Sequence, residues 1–360
     1  MSATPVELPS HVGRYQISTH LSAGFIDDVY KGFDPLLERP VVVRVFPLEL
    51  KDEAARSRVK ETFYSQMQQA GMLTHHGIAT LFDAGEWDST LFMANEFVDG
   101  TNLSDLLASR IGLDVSMRVG ILAQIVDALE YAREAGVAHL HLRPGSVLVC
   151  GDFSVKLGGF GVAAVARVLT AAASGTAVDL SRYAPPEQLH GQPGDHRSDV
   201  FSLAVMALDL LAGESAAPRP GPLSIPPLPP DLSADGVNPE RWTAVFERAL
   251  AADPDDRFDT PAELEVELLL TLGLGAAESR AARETARTDA LSVPQPAAGA
   301  VLWVPEREAT TRTGRETTTR GGGGRDETRL ARWSNPDAST TVGPSEWETD
   351  REPPLHPPKA

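Results

Sequence analysis

The 360-residue chain carries a single cysteine, Cys150, so no intrachain disulfide can form and a reducing compartment suits it. Positive charge is also scarce. The 32 Lys and Arg residues stand against 50 Asp and Glu, a formal net charge of -18. A broad nucleic-acid surface is excluded, because binding phosphate backbones needs a basic footprint. Long apolar runs are missing too: the stretch 202–211 contains polar residues and is too short to span a bilayer. Residues 1–10 lack the basic start and apolar run of a signal peptide. Together these absences predict a cytoplasmic protein with no membrane span and no nucleic-acid partner.

The shortage of positive charge is uneven. From residue 273 onward there are 12 Lys/Arg and 13 Asp/Glu, which leaves 20 and 37 in the first 272 residues, a net of -17. Residues 273–360 are rich in Ala, Arg, Glu, Thr, Gly and Pro, and few apolar residues occur together beyond Val301-Leu302-Trp303-Val304. That composition predicts a disordered tail. Thr310, Thr311, Thr317, Thr318 and Thr319 are its candidate phosphoacceptors, and a phosphothreonine there would suit a forkhead-associated-type reader. The same composition also suits a solvated spacer.

Ahead of the tail, residues 13–97 read as strands alternating around one helix. Strands are expected at 13–17, 28–34, 78–86 and 89–97, and the β-branched run 40–46 reads as a strand buried on both faces. Residues 54–73 place Val59, Phe63, Met67, Ala70 and Leu73 at helical spacing. Residues 98–272 read as mainly helical. In 114–134, Val115, Val119, Leu122, Val126 and Leu129 share one face. Between 213 and 237 seven prolines exclude a continuous helix and favour an extended surface loop.

Several motifs punctuate this order. Residues 138–146 read Ala-His-Leu-His-Leu-Arg-Pro-Gly-Ser, a loop closing onto the short apolar strand Val147-Leu148-Val149. It resembles the H-R-D-L-K-P-x-N catalytic loop of protein kinases. Gly158-Gly159-Phe160-Gly161 resembles D-F-G, and Asp152-Phe153-Ser154 reads as a turn between two strands instead. Tyr183-Ala184-Pro185-Pro186-Glu187 resembles the end of an activation segment, whose substrate-loop Thr aligns with Leu180 or, with an insertion, lies at Gly175-Thr176. The helix bearing Asp199 and the closing motif with Arg257 follow in family order. The resemblance, closest to bacterial-type serine/threonine kinases, implies an α+β bilobal kinase-like fold. It implies a domain at 13–272, with an N-lobe at 13–97 built on an antiparallel sheet and one helix, and a helical C-lobe at 98–272.

The resemblance also implies a role for each position. A degenerate nucleotide pocket would be lined by Gly24, Val29, Val42, Arg44, Glu96, Val98 and Leu148. Ser22 and Asp27 stand where the phosphate loop has its outer glycines, and Asp27 puts a negative charge where phosphate should lie. Arg44 stands in place of the family's lysine, and Gln66 in place of its glutamate partner, with Glu61 the alternative register. His141 replaces the base Asp, Arg143 a Lys, Ser146 the metal-binding Asn, and Gly159 the metal-binding Asp. His139, Phe160, Gly161, Glu187, Asp199 and Arg257 match the positions that brace the fold. His139 and His141 with Cys150 do not have the spacing of a metal site.

That split between altered chemistry and kept frame leads to the expectation of a pseudokinase, not an enzyme, with no cofactor and no metal. It would act as a scaffold or allosteric partner of other proteins, such as an active serine/threonine kinase in a bacterial pathway. The alternatives are a nucleotide-binding protein, taking ATP without Mg²⁺ through Arg44 and Arg143, or a residual atypical serine/threonine-protein kinase.

Overall fold

A computed structural model describes residues 8–23, 26–109, 112–172, 182–212, 225–232 and 239–274. The chain parts into two units, residues 1–297 and 298–360, and all the described residues belong to the first. The tail threonines 310, 311 and 317–319, together with Gly24, Gly175, Thr176 and Leu180, lie outside the described residues.

The first half is an antiparallel sheet. β1 (His11–Val12), β2 (Tyr15–Ala23), β3 (Asp28–Asp34), β4 (Arg39–Pro47), β5 (Leu81–Trp87) and β6 (Thr90–Glu96) lie in the order β1-β2-β3-β4-β6-β5. β4 is a strand because its run of valines suits a pleated surface. Its expected burial on both faces is corrected. Val41, Val43 and Val45 are buried with Tyr15, Tyr30 and Phe92, while Val42 and Arg44 on the other face are half-buried. A sheet whose second face borders a cleft is covered there only in part, so burial alternates with period two.

α1 (Glu53–Gly71) covers the rest of that second face. Asp52 caps it, accepting from the Ala54 and Ala55 backbone N–H groups at 3.2 Å each. Val59, Phe63 and Met67 pack on Phe46, Leu91 and Met93. The expected helix and the other strands fall within three residues of these bounds, but the strand expected at 13–17 runs on to Ala23, into residues 21–23.

The second half holds β7 (Gly100–Asn102), α2 (Leu103–Ala108), α3 (Val115–Glu134), β8 (Val147–Cys150) and β9 (Val155–Leu157). The three strands form a small sheet in the order β7-β8-β9. After it come α4 (Val162–Ala172), α5 (Pro186–Leu189), α6 (His196–Ala212), α7 (Pro239–Ala249) and α8 (Pro261–Thr271). The core here is built by α3, α6, α7 and α8, with Ile125, Leu129, Val205, Trp242 and Leu264 at its centre.

Two details depart from the sequence reading. α4 sits in a stretch read only as rich in small residues, and its Val162, Val165 and Leu169 are buried in the cluster formed by α1 and the sheet. The proline-rich strip is not a plain surface loop where it is described. Ile225 and Leu228 pack on the core, Leu232 is buried, and the Pro226 carbonyl accepts from the Trp242 indole N–H at 3.0 Å. Among the described residues no helix is long and apolar enough to cross a membrane.

Candidate active site

The loop between α3 and β8 is held from below by α6. Asp199 accepts the backbone N–H groups of His139 and Leu140, both at 2.7 Å. This pins Leu140 at φ +60°, a left-handed conformation that a leucine adopts only when its surroundings hold it there. Burial pushes the Asp199 carboxyl up and the two N–H bonds pull it back, for a net rise to about 7.

His139 is buried, and its Nε2 lies 3.1 Å from the Gly158 carbonyl while its Nδ1 accepts from the His141 N–H at 3.3 Å. Both bonds suit the neutral ring protonated at Nε2. Burial first, and the neighbouring His141 second, hold its pKa down at about 3. The ring packs on Phe160 at 4.6 Å between centroids. Catalytic-loop backbone, His139 and Phe160 thus form one braced unit.

Gly159 and Gly161 flank that phenylalanine with φ of +98° and +81°. Gly161 also has no room for a side chain: a Cβ there would stand 2.9 Å from Met67 Cε and 3.3 Å from Gln66 Cβ. This contact brings Gln66 to the edge of the site, whereas Glu61 is exposed. Asp152-Phe153-Ser154 is a tight turn joining β8 to β9. The Asp152 carboxylate accepts from the Ser154 N–H and hydroxyl at 2.9 and 2.7 Å, away from the cleft.

Arg44 reaches the cleft from β4, on the same strand face as Val42 and Phe46. Its guanidinium is paired with the buried Asp27 carboxylate. Val29, opposite Arg44 in the β3–β4 pairing, is buried, and Val98 is too, while Val42, Glu96 and Leu148 are half-buried. Glu96 pairs with Lys156 Nζ at 2.9 Å. Lys31, on the strand face of Val29, places its ammonium 4.1 Å from the centre of the Phe97 ring. Neither Lys31 nor Lys156 stands at a motif position of the sequence, although Lys31, two residues beyond Val29, shares its strand face.

Ser146 is occupied locally. Its hydroxyl donates to the Arg143 carbonyl at 2.7 Å and accepts the Arg143 N–H at 3.2 Å, closing the turn before β8. Arg143 and His141 on the same loop are half-buried. Behind it, Glu187 and Arg257 form a buried ion pair. The loop, Gly159 and, through Gly161, Gln66 therefore meet, Arg44 stands on the sheet paired with Asp27, and Asp199, Glu187 and Arg257 support the loop from the core.

Residues 15–221 match the protein kinase domain family. The chain is 30% identical over 280 residues to the serine/threonine-protein kinase PknB of Mycobacterium tuberculosis, covering 72% of this chain and 43% of that protein. It is 28% identical over 275 residues to PknB of Mycobacterium leprae, with the same coverage. It is 29% identical over 286 residues to a probable serine/threonine-protein kinase of Corynebacterium efficiens, covering 75% of this chain and 43% of that protein. The chain thus spans less than half the length of these relatives. The matches overturn the expectation that the chain is not an enzyme: proteins named as serine/threonine kinases align with 72–75% of it, and the kinase family match spans residues 15–221. That expectation rested on residue identities at single positions, and identity alone does not measure whether a cleft transfers phosphate.

Proposed function

The chain belongs to the protein kinase domain family, and we propose that its cleft binds an adenine nucleotide and acts as an atypical serine/threonine-protein kinase. The observation that carries this reading is the braced catalytic loop. Asp199 holds the backbone at His139 and Leu140, so the next residue, His141, is presented at the cleft floor. The alignment with named serine/threonine kinases supports the same reading.

The residues present fit a nucleotide better than they fit its usual metal. Val29, Val42 and Leu148 supply apolar walls for a base, beside the segment from Glu96 to Val98. Mg²⁺ favours carboxylate oxygens. Gly159 has no side-chain oxygen, and the Ser146 hydroxyl is committed to the Arg143 carbonyl. The two side chains do not fit that ion, and no step is derived through it.

What the chain's own groups supply is charge and a proton acceptor. Phosphoryl transfer depends on positioning and on neutralising the phosphate oxygens. Arg143 and, so far as its pairing with Asp27 leaves it available, Arg44 carry the guanidinium groups for that task, and guanidinium forks match phosphate oxygens two at a time. The His141 imidazole is the group placed to accept the proton of a serine or threonine hydroxyl. Protein partners would be the substrates of this site.

The test is binding followed by transfer. Thermal stability of the purified chain with ATP or ADP, in Mg²⁺ or EDTA, reports binding to the folded state. Labelled γ-phosphate then reports transfer to a serine/threonine peptide library. A rise in Tm plus label that His141→Ala abolishes supports the reading. Binding without label leaves nucleotide recognition alone, and no shift at millimolar nucleotide overturns both.

A further inference from the structure

The Arg44 guanidinium is one of the two cations that the proposed reading gives to nucleotide phosphate, yet in this structure it already has an anion. Asp27 approaches from the turn before β3 and forms a charge-assisted hydrogen bond with Arg44 Nη1. The pair is shielded from water: the Asp27 side chain is 6% exposed and that of Arg44 22%. The neighbouring Ile26 side chain packs on the cluster of Phe46, Phe63 and Leu169, which ties Asp27 to the N-lobe core. The β3–β4 pairing sets Val29 opposite Arg44, so both partners are fixed from the backbone.

We propose that Asp27 is a specificity-determining residue of the nucleotide site, a built-in carboxylate that competes with nucleotide phosphate for Arg44. The proposal rests on the nucleotide-binding reading above. Two anions cannot both be satisfied by one half-buried guanidinium without mutual repulsion. With Asp27 in place, the Arg44 subsite is close to neutral. A phosphate chain entering it gains little from Arg44 and meets the Asp27 charge, while a nucleoside is unaffected. The site therefore discriminates weakly between ATP and adenosine, and removing the Asp27 charge turns it toward the triphosphate.

The experiment measures Kd for ATP and for adenosine, both in EDTA, on the full chain and on Asp27→Asn, Asp27→Ser and the double variant Asp27→Asn/Arg44→Gln. Circular dichroism confirms that each is folded. Asp27→Ser provides a smaller neutral side chain if the asparagine is not tolerated. The expected result is ATP binding about ten- to hundredfold tighter in the single variants, the effect of one freed charge-assisted hydrogen bond. Adenosine should be unchanged, and the gain lost in the double variant. If the wild type binds ATP and the single variants bind it no tighter, the role of Asp27 is overturned and nucleotide binding stands. If ATP and adenosine improve together, Asp27 is a steric plug and the proposal also fails. If no variant binds either ligand, this proposal and the nucleotide reading fall together.

Discussion

Glu187 and Arg257, 70 residues apart in the chain, meet through two hydrogen bonds of 2.9 and 2.7 Å in the interior. Nothing in the pair is left unmatched. Ser198 donates to the same carboxylate at 2.6 Å, and Arg257 donates further to the Ala251 and Arg197 carbonyls at 2.9 and 3.1 Å. The Arg257 side chain is fully buried, so removing either partner strands a charge in the core.

Arg257→Ala should therefore cost about 3–5 kcal/mol, read as a lower denaturation midpoint in urea. The pair also carries an acid signature. Burial raises the Glu187 carboxyl, but the bonds from Arg257 and Ser198 more than offset this and leave it below its ordinary value. Its stabilising contribution is present above the ordinary carboxylate range and is lost as pH falls through the depressed value. Glu187→Gln should flatten the acid limb of the stability curve.

Much of this frame is legible in the sequence. β3 was expected at 28–34 and found there, because Val29 and Tyr30 start a half-buried strand ended by Asp34. Glu187, Asp199 and Arg257 were placed by motif order. What escaped were facts of contact. Asp27 and Arg44 each stand out at a motif position, but their pairing depends on how the β2–β3 turn folds, which spacing does not encode. α4 hid behind its alanines, although Val162, Val165 and Leu169 had the spacing of one helix face. The cleft-side exposure of Val42 depended on which strand face the helix covers.

Asp199 and the residue whose backbone N–H it accepts, His139, carry two buried groups that respond to acid in opposite directions. The His139 pKa is lowered from 6.5 to about 3, so its stabilising contribution is present above 6.5 and fades as pH falls. The Asp199 pKa is raised from 3.8 to about 7, so its contribution is greatest below 3.8 and fades as pH rises toward 7. Between about pH 4 and 6.5 the two offset each other. In Asp199→Asn the offset is gone. Its stability deficit relative to wild type should grow as pH falls across that window, by up to about 1.4 kcal/mol per unit. Tm measured from pH 4 to 6.5 checks this, and a deficit constant with pH would count against it.

α4 completes the apolar cluster beneath the sheet, so its side chains should support α1 as well as α4. Leu169→Ala should cost about 2–3 kcal/mol by opening a cavity among Phe46, Phe63 and Val165. Hydrogen exchange should accelerate in α1 and leave α3 and α6, which belong to the other core, unchanged. Equal acceleration in all helices would show that the two clusters unfold as one.

Gly159 tests how the cleft handles charge. Its φ of +98° disfavours any side chain, at a cost of roughly 1–2 kcal/mol, yet the space is open, the nearest neighbour of an added Cβ being His139 Cε1 at 3.9 Å. Gly159→Asp is therefore a change with room for its side chain, and it adds a carboxylate beside His139. A carboxylate next to nucleotide phosphates is the arrangement that holds Mg²⁺. Wild type should bind ATP equally in Mg²⁺ and in EDTA, since Gly159 and Ser146 offer the ion no free oxygen. Gly159→Asp should bind ATP at least several-fold more tightly in Mg²⁺ than in EDTA, and its melting temperature without nucleotide should fall by a few degrees. A wild type that already requires Mg²⁺ would mean that the ion is held by groups other than these two, and the guanidinium-only account of phosphate binding would have to be given up.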